Sequence, residues 1–184
     1  MKKKPLLIHI PKAGGTSTYK ILSEFDLHHW SNGHRTVTSY SEKYRNSCFV
    51  FSFVRNPYDR LLSAHKYLTG GFGNLVDTRY GKTLSSDFKY FVKNQLKNKI
   101  DSRQAHFVPM KFWLDDDIDF IGRMENYQHD FNIVCDKIGI PQQQLPHTNK
   151  SKHKHYTEYY DDETREIVAE KYAKDIECFG YKFG

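Results

Sequence analysis

A lysine, two glycines and two hydroxyls stand close together in Pro11-Lys-Ala-Gly-Gly-Thr-Ser17, directly after the apolar run Leu6 to Ile10. That order suits a negatively charged ligand. Glycines permit a tight turn and close backbone approach. The first amides of a following helix have no intrahelical acceptor, and the helix dipole concentrates partial positive charge at the same point. Lys12 adds a formal charge. The loop is not a Walker A sequence, in which the lysine follows the last glycine; here Lys12 precedes Gly14. A second cationic group stands in Val54-Arg-Asn-Pro-Tyr-Asp-Arg60. The planar guanidinium of Arg55 suits phosphate oxygens. Ser63 falls two residues past Leu61, about 200° around the next helix and away from its core stripe; on the residues alone, Arg55 can equally be a surface ion-pair partner and Ser63 an idle helix residue.

Both groups need a strand that ends and a helix that begins. Leu6 to Ile10 reads as a strand buried on both faces, stopped by Pro11. Thr16 or Ser17 is the expected cap of a helix whose apolar stripe is Thr18, Ile21, Leu22 and Phe25. Cys48 to Val54 is a β-branched and aromatic strand. After it, Asn56 suits an N-cap, Pro57 the first helical position, and Leu61, Ala64 and Leu68 the buried stripe. A cation at a strand's carboxyl end is where open α/β sheets bind ligands. Residues 26–46 form a polar, His-rich loop with a short helix. Residues 69–82 hold Gly70, Gly71, Gly73 and Gly81 and read as a flexible loop. Ser85 or Ser86 is expected to cap a helix reaching about Asn98. Ile118 to Ile121 reads as a further strand ending at Gly122-Arg123. A helix over Asn126 to Ile138 is stopped by Gly139, and a last helix runs from Asp161 or Asp162 to about Cys178. Alternating strands and helices indicate an α/β fold with a mainly parallel sheet, in a single domain over residues 1–184.

The order Pro-Lys-x-Gly-Gly-Thr-Ser resembles the 5′-phosphosulfate loop of sulfotransferases that use 3′-phosphoadenosine 5′-phosphosulfate (PAPS), in particular the carbohydrate-type branch that includes heparan and chondroitin sulfotransferases and small bacterial relatives. Val54 to Ala64 resembles the same family's 3′-phosphate motif. Similarity continues through Asp119-Phe-Ile-Gly-Arg-Met-Glu-Asn126, Leu145-Pro-His-Thr-Asn-Lys-Ser151 and the closing Tyr172 to Tyr181. The resemblance implies a three-layer, P-loop-NTPase-like fold and metal-independent, in-line sulfuryl transfer from PAPS to an acceptor hydroxyl, leaving adenosine 3′,5′-bisphosphate (PAP). It implies that Pro11, Lys12, Ala13, Gly14, Gly15, Thr16 and Ser17 hold the 5′ end of the donor and that Arg55 and Ser63 hold the 3′-phosphate. Arg123, Asn149, Lys150 and Ser151 are further donor contacts on the same ground. Arg123 can equally pair with Glu125, and Asn149 to Ser151 can equally be a solvated turn. Lys12 is also catalytic, because charge builds on the leaving side. A histidine is the natural base for the acceptor's proton. His34, in Asn32-Gly-His-Arg-Thr36, resembles the Gly-His segment that supplies that base in glycan relatives, with His28 and His29 as alternatives. His9 reads instead as a strand residue that packs or hydrogen-bonds internally.

The remaining observations set bounds. Among 184 residues, 28 Lys and Arg against 22 Asp and Glu give a net charge of +6, which favours anionic partners without choosing among them. The basic residues are spread along the chain and no RNA-module motif is present. A nucleic-acid partner is therefore not expected, although a basic RNA- or glycan-binding module is one alternative reading. A P-loop-type nucleotide or small-molecule kinase is another; it should carry its lysine after the glycines. His147, His153 and His155 have no Cys or carboxylate partner at ligand spacing, so no metal is expected. No stretch has the roughly 18 apolar residues of a membrane span. Cys48, Cys135 and Cys178 read as reduced, buried thiols of a cytoplasmic protein. The expected partner is a hydroxylated acceptor: a sugar, a glycan or a lipid-linked precursor. No motif fixes an oligomeric state.

Overall fold

Cys48-Phe-Val-Phe-Ser-Phe-Val54 is buried at every position, as expected of a parallel strand covered on both faces. In the computed structural model, which describes residues 3–27, 34–96, 104–114, 118–146 and 154–184, this strand, β2 (Cys48–Val54), lies between β1 (Lys4–Ile8) and β3 (Phe120–Arg123). Both pairings are parallel. Ile8 stands opposite Ser52, and Phe53 opposite Gly122. The helices in chain order are α1 (Gly15–Glu24), α2 (Glu42–Asn46), α3 (Pro57–Thr69), α4 (Leu75–Gly81), α5 (Phe88–Tyr90), α6 (Tyr127–Ile138), α7 (Asp162–Lys171) and α8 (Ala173–Phe179). The chain divides into two compact units, one drawn from Met1–Arg55 and Met110–Ser151, the other from Asn56–Pro109 and Lys152–Gly184.

The first unit contains the sheet. Phe49, Phe51 and Phe53 project to one face of β2 because alternate residues do. They pack there with Ile21 and Leu22 of α1 and with Phe131, Val134, Cys135 and Ile138 of α6. Truncating a fully buried phenylalanine such as Phe51 to alanine costs about 3–5 kcal/mol. β1 begins two residues earlier than expected and leaves the ladder at Ile8, before Pro11 is reached. At that point the Ser52 hydroxyl donates to the Ile8 carbonyl (2.7 Å). β3 is prolonged by Asp119, which donates its amide to the Val50 carbonyl and accepts the Val50 amide on its carboxylate. In the 26–46 stretch, a 3₁₀ turn at Val37–Ser39 is followed by α2. Gly139 ends α6 in the left-handed region at φ 78°.

The second unit is helical. Leu61, Leu62, Ala64 and Leu68 of α3 pack with Phe88, Phe91, Phe107, Tyr160, Val168 and Tyr172. Asn56 caps α3, its Oδ1 accepting the Tyr58 amide (3.1 Å), with Pro57 at the start. Three expectations need correction here. The glycine-rich stretch contains α4, because Asn74 accepts the Asp77 amide (2.9 Å) and starts a helix. Asp87, not Ser85 or Ser86, caps α5, which continues as a wide π turn over Phe91–Leu96. The Gln95 side chain there meets the Ser85 amide and the Thr83 carbonyl. The last helix is two: Tyr172 leaves helical geometry at φ −110°, ψ 23° while its hydroxyl donates to the buried Phe107 carbonyl (3.0 Å). Cys178 is exposed, whereas Cys48 and Cys135 are buried.

Candidate active site at the end of β1

The loop after β1 is shaped by two neighbours that the sequence does not announce. Lys12 has φ 66° and Gly14 φ 82°. The left-handed region costs a lysine energy that a glycine does not spend, and strain of this kind concentrates at functional sites. Gly14 caps α1 through its backbone, with no side-chain cap. The expected Thr16 or Ser17 cap is thereby corrected: both lie inside the helix, and Ser17 Oγ donates to the Pro146 carbonyl (3.3 Å). Thr16 is exposed. The amides of Gly15 and Thr16 open α1 and have no intrahelical carbonyl to reach.

Both glycines are obligatory because protein atoms lie against them. A Cβ on Gly15 would stand 1.9 Å from His9 Cδ2, and one on Gly14 would stand 2.4 Å from Met124 Sδ and 2.7 Å from the Tyr127 ring. Tyr127, at the start of α6, donates its hydroxyl to the Gly14 carbonyl. Its single proton is thereby committed, so Thr18 Oγ1 is the donor in the 2.8 Å Thr18–Tyr127 contact. Burial pushes the Tyr127 phenol up to about 12, opposed by the Thr18 hydroxyl. It stays a neutral hydrogen-bonding post under the loop. Nothing in the sequence around Tyr127 marks this role.

Arg55 leaves the end of β2, half-buried, and its Nη1 donates to the Lys12 carbonyl (3.3 Å). Its own amide points at Met110 Sδ (3.4 Å). Two cationic residues 43 positions apart in the chain are thus brought into contact. His34 is held by His9, whose ring lies against Gly15 of the same loop. His34 Nδ1 lies 2.9 Å from the His9 carbonyl, and the two rings meet edge-on with centroids 4.5 Å apart. The buried Trp113 meets the His34 ring as well (5.9 Å between centroids). A carbonyl only accepts, so Nδ1 carries the proton of neutral His34 and Nε2 is the nitrogen able to take one up. Trp113 lies in a polar stretch with no periodic signal, and nothing in its sequence context marks it.

Pro11 and Ala13 are buried beside Lys12. Arg123 closes β3, its amide donating to Asp130 Oδ2 (2.7 Å). Ser63 is half-buried on α3 in the second unit. His65 is also there; its Nε2 meets the Ser85 carbonyl (2.8 Å), and burial lowers its pKa. His28, His29, His147, Asn149, Lys150, Ser151 and His153 lie outside the described residues.

A family model described as "Sulfotransferase family" matches residues 2–182. The chain belongs to the sulfotransferase family. Its chemistry is therefore sulfuryl transfer to an acceptor hydroxyl, on a P-loop-like α/β fold with a parallel sheet flanked by helices. A protein from Archaeoglobus fulgidus, described only as an uncharacterized protein, is 29% identical over 94 residues, covering 51% of this chain and 70% of the relative. No solved structure matches the chain with statistical significance. Among the described residues, no helix of this sulfotransferase is long and apolar enough to cross a membrane.

Proposed function

We propose that the chain is a cytoplasmic, PAPS-dependent sulfotransferase acting on a carbohydrate hydroxyl, with residues 1–184 working as one domain and no metal in the reaction. The observation that carries this reading is the Arg55–Lys12 contact, which joins the end of β2 to the loop after β1. The donor is a polyanion with charge at two separated ends. A cationic loop backed by open helix amides suits the phosphosulfate end, and a guanidinium suits the 3′-phosphate. Ser63, Arg123, Asn149, Lys150 and Ser151 join the proposal on the family resemblance alone. The free thiols Cys48, Cys135 and Cys178 fit a reducing compartment.

In this reading the acceptor oxygen forms a bond to sulfur as the bond from sulfur to the bridging phosphate oxygen breaks, and the electron pair leaves with PAP. Lys12 and the Gly15 and Thr16 amides, fixed in place before reaction, take up the charge growing on that oxygen. His34 Nε2 receives the acceptor's proton, and the His9 carbonyl holds the opposite nitrogen protonated. A kinase reading places its lysine on the other side of the glycines and is the weaker account.

The test is transfer from labelled PAPS to a panel of cell-envelope glycans and small hydroxylated metabolites, in the presence of a chelator. His34→Ala should lower turnover about 10²–10⁴-fold while PAP affinity stays within about twofold of the parent. Full turnover in that variant would move the base elsewhere, with His28 and His29 next; no transfer to any acceptor would remove the carbohydrate assignment.

A further inference from the structure

Phe72, Leu75 and Val76 are 78%, 76% and 72% exposed, yet the segment carrying them is firmly built. The Phe72 ring sits over Gly70, where a Cβ would come within 2.4 Å of it, and Gly71 turns the chain at φ 70°. Asn74 caps α4, Thr78 Oγ1 donates to the Gly73 carbonyl (3.3 Å), and the Tyr67 hydroxyl donates to Asp77 Oδ2 (3.2 Å). The inner side of α4 is fixed too: Gly81 lies on the Leu68 backbone, leaving no room for a Cβ. The apolar tip is therefore held outward by its own scaffold.

Charge completes the pattern. Arg79 follows Leu75 by four residues and Val76 by three, and Lys82 follows Leu75 by seven, so both exposed cations share the outward face with the apolar tip. The acid of that helix, Asp77, is turned in, its side chain 15% exposed. Three exposed apolar side chains make a patch on the order of 400 Å², about half of what each partner of a stable dimer buries. An apolar tip with a basic collar matches the chemistry of an anionic bilayer surface, where apolar groups enter the headgroup boundary and lysine or arginine pairs with acidic lipid.

We propose that Phe72, Leu75 and Val76, backed by Arg79 and Lys82, dock the protein onto an anionic lipid bilayer. This stands apart from the catalytic reading, because the test uses neither donor nor acceptor. The full chain is floated with vesicles of phosphatidylcholine alone or with phosphatidylglycerol added, at low and high salt. Wild type should float with the anionic vesicles, and salt should release it. Phe72→Ser/Leu75→Ser/Val76→Ser should reduce partition at least about tenfold. Arg79→Gln/Lys82→Gln should reduce it about fivefold per charge removed and abolish the preference for anionic lipid. These residues are exposed, and unchanged thermal unfolding confirms that each variant is folded. Absence of flotation by wild type, or equal flotation by the triple variant, would overturn the proposal. So would concentration-dependent dimerisation that the triple variant abolishes, since the patch would then take a second copy of the chain.

Discussion

β1 and β2 each lead into a helix start, α1 and α3, and these two helix starts are satisfied in opposite ways. At α1 the cap is Gly14, a backbone turn with no side-chain hydrogen bond, held from below by Tyr127. At α3 the cap is Asn56, whose side chain takes up the Tyr58 amide, with Pro57 removing a second donor. The first helix start keeps amides available to an anion; the second spends them on itself. In the proposed reading, what the end of β2 offers the donor comes from a side chain, that of Arg55. In that reading, similar local architecture yields a backbone site in one place and a guanidinium in the other.

The largest effect that can break this contrast is at Lys12. Lys12→Ala should lower the transfer rate about 10²–10³-fold, the scale for losing one preorganised donor to a developing charge. Parent-like single-turnover rates would detach the loop from the chemistry. Gly15→Ala comes next. Its methyl would stand 1.9 Å from His9 Cδ2, so the His9 ring, which meets the His34 ring edge-on, must move. A displacement on the ångström scale costs about a hundredfold in rate, alongside about 1–3 kcal/mol of stability from overpacking. Thermal unfolding and initial rates measured together separate the two. Asn56→Ala has the smallest effect on the chemistry: donor affinity is unchanged, while stability falls by about 2–4 kcal/mol, because the cap to Tyr58 and the Nδ2 bonds to the Tyr156 hydroxyl and the Lys182 carbonyl are all lost. A large loss of affinity there would mean that the α3 amides bind the ligand after all, and the contrast would fail.

Much of the architecture could be read from residue order. The seven-residue run, apolar but for Ser52, makes β2 legible, Asn56-Pro57 marks the start of α3, and Gly139 marks the end of α6. The loop at Lys12 was visible because cation, glycine and hydroxyl occur in a diagnostic order. What escaped reading depends on distant partners. Thr16 and Ser17 look like caps, but the cap stands two positions before Thr16, at Gly14, whose carbonyl meets Tyr127 113 residues away. Glycines at 70, 71, 73 and 81 suggested a flexible loop, yet Asn74 supplies a helix start and Gly81 is there to let α4 approach Leu68. The break at Tyr172 follows from a hydrogen bond to Phe107, 65 residues back. Cys178 stands beside the apolar Phe179 in sequence but is exposed. The His9–His34–Trp113 cluster unites three stretches with no common motif, so only the fold brings it together.

The central claim is that the loop carrying Lys12 and the guanidinium of Arg55 grip one bisphosphorylated nucleotide. Calorimetric titration of PAP into the full chain, without divalent metal, tests it most directly. Saturable binding by the parent that Arg55→Ala weakens about 10–100-fold, the value of losing a charge-assisted hydrogen bond, is the predicted result. Equal affinity in parent and variant, or binding only of ATP with Mg²⁺, would contradict it.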